Sequence, residues 1–179
     1  MESEVKILEI DRKGVERRLA SLGATKSFDG NIGSVFFDYP DNSIREGGNL
    51  LRLRHTDKKA FLTFKKFVEI SSVKSMEEYE VEVCDFEKMR LILKSLGLLV
   101  TKELKKHRTS YALGGVHFDI DKYSGEYSHI PEFMEIEAED AATVYKYAEI
   151  LGFDADDCKP WTTNDLMNYY SEEKGKKGK

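Results

Sequence analysis

Residues 49–68 read NLLRLRHTDKKAFLTFKKFV, and apolar and polar side chains alternate through most of this stretch. Alternation with a period of two is typical of β-strands, because successive side chains point to opposite faces of a sheet. The stretch predicts two strands, over residues 49–56 and 60–68. Arg52 and Arg54 then lie together on one face of the first strand, opposite its leucines.

The same alternation recurs elsewhere in the chain. Six further stretches predict strands, over residues 2–10, 33–38, 77–83, 105–112, 115–122 and 132–138. The pair Gly114-Gly115 is typical of a short hairpin turn. Helical periodicity predicts four helices, over residues 12–22, 86–96 and about 140–151 and after Trp161. Asp11 and Asp85 are predicted N-caps of the first two helices. Because the chain combines predicted strands with predicted helices, it is assigned to the α+β class.

Composition and charge narrow the class of protein. Of the 179 residues, 40% are hydrophobic and 34% are charged, which is typical of a globular protein. We predict a single domain over residues 1–171 and a disordered basic tail over residues 172–179. The formal net charge of −5 argues against general nucleic-acid binding.

The sequence also bears on the compartment. No apolar stretch is long enough to span a bilayer and no secretory leader is evident, so we expect a cytoplasmic protein with no membrane partner. Cys84 and Cys158 are far apart and do not form a metal-ligand pair. A reduced compartment or two buried thiols is the expected interpretation.

Charged side chains occupy one face of seven predicted strands, and acids and bases are segregated by strand. The acids are Glu2, Glu4, Glu80, Glu82, Asp119, Asp121, Glu135 and Glu137. The bases are Lys6, Arg52, Arg54, Lys65, Lys106 and Arg108. These faces are either the ordinary solvated side of an antiparallel sheet or the lining of a concavity. The helices favour the second alternative, because their apolar stripes need the apolar strand faces as a surface to cover.

Like charges two residues apart on a strand repel one another unless an opposite charge lies between them. A polyphosphate would satisfy the basic strands, since Arg offers a planar fork and Lys a point charge to phosphate oxygens. Divalent cations would satisfy the acidic strands, because carboxylates are the hard ligands that Mg²⁺ and Mn²⁺ prefer. The four histidines are interpreted as structural, with His107 facing away from Lys106 and Arg108, and His117 facing away from Asp119.

Several of these residues occur in motifs that resemble the CYTH superfamily, also called triphosphate tunnel metalloenzymes. The pentapeptide ESEVK at residues 2–6 is similar to the family's E-x-E-x-K signature. The further motifs, in family order, are LRLR at 51–54, LTFK at 62–65, EVE at 80–82, KHR at 106–108, DKYSG at 121–125 and EIE at 135–137. The likeness spans residues 2 to about 155.

The resemblance implies a closed eight-stranded antiparallel β-barrel with helices packed outside. The implied triphosphate ligands are Lys6, Arg52, Arg54, Lys65, Lys106 and Arg108, of which Lys6, Lys106 and Arg108 are also expected to be catalytic. The implied ligands for Mg²⁺ or Mn²⁺ are Glu2, Glu4, Glu80, Glu82, Asp121, Glu135 and Glu137. Asp119 shares a face with Asp121, and the spacing to Gly125 favours Asp121 as the family aspartate.

The resemblance also implies the reaction. We expect hydrolysis of the terminal phosphoanhydride of a triphosphate, namely inorganic tripolyphosphate, a nucleoside triphosphate or thiamine triphosphate. The alternative is a class IV adenylyl cyclase that makes cyclic AMP from ATP, and a second alternative is a non-catalytic triphosphate sensor. The many acids argue against a sensor, because carboxylates weaken the binding of an anion. The expected partner is a small-molecule triphosphate, and the chain is expected to be a monomer or homodimer.

Overall fold

The computed structural model of the protein describes residues 3–70 and 73–177, and within these ranges it contains nine β-strands and five α-helices. The strands are β1 (Ser3–Ile7), β2 (Thr25–Asp38), β3 (Leu50–Thr56), β4 (Ala60–Ile70), β5 (Val73–Val83), β6 (Leu99–Leu113), β7 (Val116–Tyr123), β8 (Phe133–Ala138) and β9 (Cys158–Lys159). The helices are α1 (Arg12–Ser21), α2 (Ser43–Glu46), α3 (Phe86–Ser95), α4 (Ala141–Ile150) and α5 (Thr163–Lys177).

The strands belong to one antiparallel sheet in the order β5-β4-β3-β2-β6-β7-β8-β1-β9. Each edge strand, β5 or β9, has one neighbour in this order, so the sheet of the described residues is not closed into a barrel. The predicted closed, eight-stranded barrel is therefore wrong in closure and in strand number, while the α+β class is confirmed. Closure depends on strand tilt and stagger, and alternation along a strand carries no information about either.

Most predicted elements are present, and their boundaries shift. The strands predicted over residues 33–38 and 105–112 begin earlier, at Thr25 and Leu99. The helix predicted after Trp161 continues through Lys177, into the segment predicted as a disordered tail. Helix α2 and strand β9 were not predicted, because elements of four and two residues are too short to show a period.

Local turn and cap chemistry follows the sequence closely. Gly114 and Gly115 have φ angles of 57° and 82°, as the tight turn between β6 and β7 requires. Asp85 accepts a hydrogen bond from the backbone N–H of Lys88 at the start of α3. Asp11 precedes α1 without a side-chain cap bond.

The chain forms two compact units, which are described separately. Unit 1 comprises Met1–Gly30 and Lys106–Lys179, and unit 2 comprises Asn31–Lys105. The single domain over residues 1–171 stays a prediction.

The core of unit 1 lies between helices and the apolar face of its strands. Its fully buried strand residues include Phe118, Ile120, Met134 and Ile136, which pack with Leu19 of α1. Burying one such side chain contributes roughly 1.5–3 kcal/mol. Because this face is taken by the core, the alternate residues of the same strands occupy the opposite face.

Unit 2 has a smaller core of the same kind. Helix α3 packs Leu93 against Leu53 of β3 and against Val35 and Phe37 of β2. The apolar face predicted for residues 49–56 is therefore the buried one, and Arg52 and Arg54 lie on the other.

Two further expectations concern thiols and membranes. Cys158 is buried and Cys84 is exposed, and both are free, so the expectation of two buried thiols is wrong for Cys84. None of the helices in the described part of the chain combines the length and apolar character that a membrane crossing requires.

Candidate functional site

Strand β1 places the buried ammonium group of Lys6 on a face of unit 1 that also carries carboxylates. The register with β8 sets Glu4 opposite Glu137 and Lys6 opposite Glu135. Lys6 is 3% exposed, and its ammonium donates to Glu4 and lies 3.1 Å from Glu135 Oε1. The prediction that these alternate residues share one face is therefore confirmed for β1 and β8. Glu2 lies outside the described residues.

Arg108 is held by three carboxylates from two neighbouring strands. Its Nε donates to Asp121 Oδ1 at 2.7 Å and its Nη2 donates to Asp121 Oδ2 at 2.5 Å. It also donates to Asp119 and Glu135. Lys106 Nζ donates to Asp121 Oδ2 at 2.5 Å. Such charge-assisted, bidentate pairing fixes the orientation of the guanidinium plane.

These side chains form one connected set, which is called the charged cluster below. Its members are Glu4, Lys6, Lys106, Arg108, Asp119, Asp121 and Glu135. Both aspartates that the sequence left as alternatives belong to it. Asp121 is completely buried, whereas Asp119 retains some exposure. We therefore regard Asp121 as the anchor of the cluster.

Two bases of the cluster, Lys6 and Arg108, keep their protons. Burial acts to lower the pKa of Lys6, but the charges of Glu135 and Glu4 outweigh it and raise the pKa above its ordinary value. Burial also opposes the charge of Arg108, yet the hydrogen bond and charge of Asp121, with the other two carboxylates, hold its pKa well above the ordinary range. At neutral pH these side chains can supply positive charge to a ligand, and they are not proton acceptors.

Glu135 keeps its negative charge for the complementary reason. Burial acts to raise its pKa, but the charges of Lys106, Arg108 and Lys6 hold the pKa well below its ordinary value. Burying charges is costly, and it is tolerated only where each is paired and hydrogen-bonded. The cluster meets that condition through its alternating acids and bases.

Tyr123 borders the cluster and was not identified from the sequence. It lies opposite Lys106 in the β6–β7 register and is 4% exposed. Burial, followed by the charges of Asp121 and Glu135, raises the pKa of its phenol well above the ordinary value, while a hydrogen bond with Thr163 acts against that rise. The sequence could have identified Tyr123, because it lies two residues after Asp121 on the same strand and residues two apart share a face.

The histidine prediction requires one correction. His117 shares parity with Asp119, and the β7–β8 register sets it opposite Glu137 on the charged face. Its predicted orientation away from Asp119 is wrong, because residues two apart on a strand face the same side. His107 is placed as predicted, on the face away from Arg108, where its Nε2 lies 3.2 Å from Asp29.

Unit 2 carries a second polar face on β3, β4 and β5. Arg52 lies opposite Thr63, which in turn lies opposite Glu80. Thr63 is fully buried and donates to Glu80 Oε2 at 2.7 Å, and Arg54 Nη2 donates to the same oxygen at 3.3 Å. The buried Nε of Arg54 has no hydrogen-bond partner among the described residues. Arg54 thus retains donor capacity beyond its pairing with Glu80.

Two further ion pairs lie on the same face of unit 2. Lys65 Nζ lies 2.7 Å from Glu78 Oε2, and Lys59 Nζ lies 2.8 Å from Glu82 Oε2. Glu78 was missed from the sequence, although it continues the parity of Glu80 and Glu82. The predicted metal ligands Glu80 and Glu82 therefore both lie beside basic side chains in this structure.

The acids of the charged face suit a hard cation unequally. Glu135, Asp121 and Glu4 each accept a hydrogen bond from a basic side chain, but Asp121 is fully buried and Glu135 largely so, whereas Glu4 is exposed. Glu4 and Glu137 lie directly opposite one another, and like charges at that position repel unless a cation lies between them. Mg²⁺ is commonly held by one or two carboxylates with phosphate oxygens and water, so this pair fits such an ion. Among the described residues, no three His, Cys, Asp or Glu side chains form a metal-binding group.

Comparisons with known proteins identify relatives of this chain. The family model of the CYTH domain matches residues 1–155. A Methanocaldococcus jannaschii protein named "Putative adenylate cyclase" is 34% identical in an alignment of 142 positions that covers 76% of each chain.

Solved structures share the fold. A protein from Pyrococcus horikoshii OT3 superposes with a TM-score of 0.74 at 26% identity, over 93% of this chain and 99% of its own. A Hippeastrum protein, described as a "putative adenylyl cyclase" with a dominant triphosphatase activity, has a TM-score of 0.65 at 16% identity, over 96% of each chain. The match of the family model to most of the chain, together with the archaeal relative, shows that the chain belongs to the CYTH domain family.

Proposed function

We propose that the protein is a divalent-metal-dependent enzyme that hydrolyses the terminal phosphoanhydride of a triphosphate. The observation that carries the proposal is the charged cluster, in which buried cations are oriented by carboxylates on one strand face. Preorganised cations of this kind stabilise charge that develops during phosphoryl transfer, and they do so without reorganising. Such a set of buried charged side chains is not expected in a core that only stabilises the fold.

The basic residues have binding roles in this proposal. Lys6, Lys106 and Arg108 neutralise phosphate oxygens and the charge that accumulates on the leaving diphosphate. In unit 2, Arg52, Arg54 and Lys65 are proposed to bind phosphate oxygens on the polar face of that unit, the arginines through their planar forks. The raised pKa of Lys6 makes it an electrostatic catalyst, since a protonated ammonium cannot accept a proton.

The acids divide into two proposed roles. Glu4 and Glu137, with Glu2, would hold Mg²⁺ or Mn²⁺. A bound divalent cation would polarise phosphate oxygens and make an attacking water more acidic. Asp121 and Glu135 would mainly orient the bases of the cluster, and Glu80 and Glu82 would do the same in unit 2.

Cyclization of ATP to cyclic AMP is the second candidate, and it is favoured by the name of the 34% identical archaeal relative. It requires the same cations and differs in the attacking group and in the phosphorus that is attacked. The Hippeastrum protein shows only that the fold is shared, so its triphosphatase activity does not decide between the two reactions for this chain.

An end-point assay separates the candidates. Purified protein is incubated with Mg²⁺ or Mn²⁺ and with tripolyphosphate, ATP, GTP or thiamine triphosphate, and phosphate, diphosphate and cyclic AMP are measured in the same tubes. Metal-dependent phosphate release is the expected result. Cyclic AMP with equal diphosphate would replace the proposal by the cyclase, and ligand binding without either product would indicate a sensor.

Glu4→Gln is the informative variant in this assay, with Glu139→Gln as its matched control. Glu4 lies on the charged face, whereas Glu139 is exposed just beyond the end of β8. We expect Glu4→Gln to lose nearly all metal-dependent turnover and to keep part of its tripolyphosphate binding. Full activity of Glu4→Gln would remove this residue from the proposed metal ligands.

A further inference from the structure

The last strand adds a lysine to the charged face of unit 1. Strand β9 pairs antiparallel with β1, and the register sets Lys159 directly opposite Lys6 and Cys158 opposite Ile7. Cys158 and Ile7 belong to the core, so Lys159 must lie on the opposite face with Lys6. The family model ends at residue 155, so this lysine lies outside the matched region.

The ion pairing of Lys159 differs from that of the other bases on this face. Lys6, Lys106 and Arg108 each contact at least one carboxylate. The ammonium of Lys159 donates to the backbone carbonyl of Asp156 at 2.6 Å, and it forms no ion pair with any carboxylate in residues 3–67 and 77–172, whose side chains the structure describes. A carbonyl oxygen is neutral, so the positive charge of Lys159 is not offset by this contact.

Lys6 and Lys159 are directly opposite in the register, a position at which like charges are destabilising. Glu4 and Glu135 contact Lys6 and offset its charge, but they form no ion pair with Lys159. Recruiting Lys6 or Arg108 to an anion competes with carboxylates that already hold these bases. Lys159 can turn to an anion at the cost of one neutral hydrogen bond. It is therefore the base on this face that is most readily available to a phosphate oxygen.

The C-terminal segment lies beside the cluster at a second point. Thr163, the first residue of α5, hydrogen-bonds Tyr123, which lies opposite Lys106. The pKa of Asp165 is lowered mainly by hydrogen bonds with Thr162, and the charge of Lys6 contributes to the same shift. Residues 158–165 therefore border the charged face as well as extending the sheet.

We propose that Lys159 is a further phosphate-binding residue of unit 1, and that it contacts the phosphate chain of the substrate. The inference rests on the proposed function, since it takes a triphosphate as the ligand. Its chemistry is that of a point charge on a flexible stem, which recognises phosphate oxygens whatever group the phosphates carry.

The test measures binding of tripolyphosphate and of ATP, each with Mg²⁺, by isothermal titration calorimetry. The proteins are the wild type, Lys159→Gln, Lys159→Arg and the control Lys146→Gln, which removes an equal charge from an exposed position on α4. Thermal unfolding of each protein verifies the fold, because the β9 ladder is made by backbone groups and should survive the change.

We expect Lys159→Gln to weaken the binding of both ligands by about tenfold, since hydrogen bonds to charged groups have about this effect. Lys159→Arg should retain most of the affinity, and Lys146→Gln should match the wild type. Wild-type affinity of Lys159→Gln would overturn the inference and leave the proposed function intact. A loss confined to ATP would also overturn it, because the contact would then be to the nucleoside. Failure of the wild type to bind either ligand would refute the proposed function, and the inference with it.

Discussion

At the scale of single residues, the main feature of this protein is that its charges are buried in pairs. Lys6 and Asp121 are 3% and 0% exposed, values normally found for apolar side chains. Each is retained because several partners of opposite charge surround it. A residue of this kind affects both stability and ligand binding, and the two effects can be measured separately.

The variant Asp121→Asn tests the effect on stability. The change leaves Lys106 and Arg108 without their shared buried counter-charge, and we expect the free energy of unfolding to fall by about 3–5 kcal/mol. Urea unfolding measures this loss. Asp119→Asn is the matched control, and it should cost less because Asp119 is partly exposed and, among the described side chains, forms an ion pair with Arg108 alone. Equal losses in the two variants would contradict the role of Asp121 as anchor.

Arg54→Ala tests the basic face of unit 2. We expect tripolyphosphate affinity to fall about 10- to 100-fold, since a guanidinium fork makes more than one charge-assisted bond. Arg54 is partly exposed, so unfolding should change little. Arg90→Ala is the control, because Arg90 lies on α3 and pairs with Glu103. Wild-type affinity of Arg54→Ala, measured by calorimetry, would exclude the arginine from the site.

At the scale of elements, the conformation of the segment between β2 and β3 depends on the carboxylate of Asp38. Asp38 is 4% exposed, and its two oxygens accept hydrogen bonds from the backbone N–H groups of Tyr39, Ile44 and Arg45. These bonds hold α2 against the end of β2. The sequence did not predict α2, because this helix has just four residues.

Asp38→Ala should therefore lower the free energy of unfolding by about 2–3 kcal/mol, since hydrogen bonds to a charged group are lost and backbone donors stay buried. Asp41→Ala is the control within the same segment, because Asp41 is exposed and its carboxylate accepts hydrogen bonds from the backbone and side chain of Ser43. Chemical unfolding of both variants checks the difference. A loss below that of Asp41→Ala would show that α2 is held by other contacts.

At the scale of the whole molecule, the charged cluster links stability to pH. The folded pKa of Glu135 lies below its ordinary value of 4.5. The stabilisation is therefore complete above the unfolded pKa and is lost as pH falls towards the folded pKa. Other carboxylates with lowered pKa values, such as Asp85 and Asp140, act in the same direction.

Because several groups contribute, the prediction concerns the difference between two proteins. We expect the free energy of unfolding of the wild type to fall as pH drops below about 5, and that of Glu135→Gln to fall less steeply. Urea unfolding between pH 3 and about pH 7 measures both slopes. Glu139→Gln should show the wild-type slope. Parallel slopes for Glu135→Gln and the wild type would contradict the ionised state of Glu135 in the fold.

The sequence by itself determined which residues share a strand face, because the side-chain period of two is a property of the extended backbone. It also determined the family, since the motifs at residues 2–6, 51–54 and 135–137 keep their order along the chain. The sequence also determined the side-chain cap of α3 and the glycine turn, which depend on local geometry.

Only the tertiary structure decided how the strands pair and which charges meet. Register sets Lys6 opposite both Glu135 and Lys159, although these residues are more than a hundred positions away in sequence. The strand order leaves the sheet of the described residues open. The two-residue strand β9, too short to show any period, pairs with β1 at one edge of this sheet. The reason is physical. A periodic pattern predicts which face of a strand a side chain lies on. The neighbours of that side chain on adjacent strands are determined by long-range packing and strand pairing.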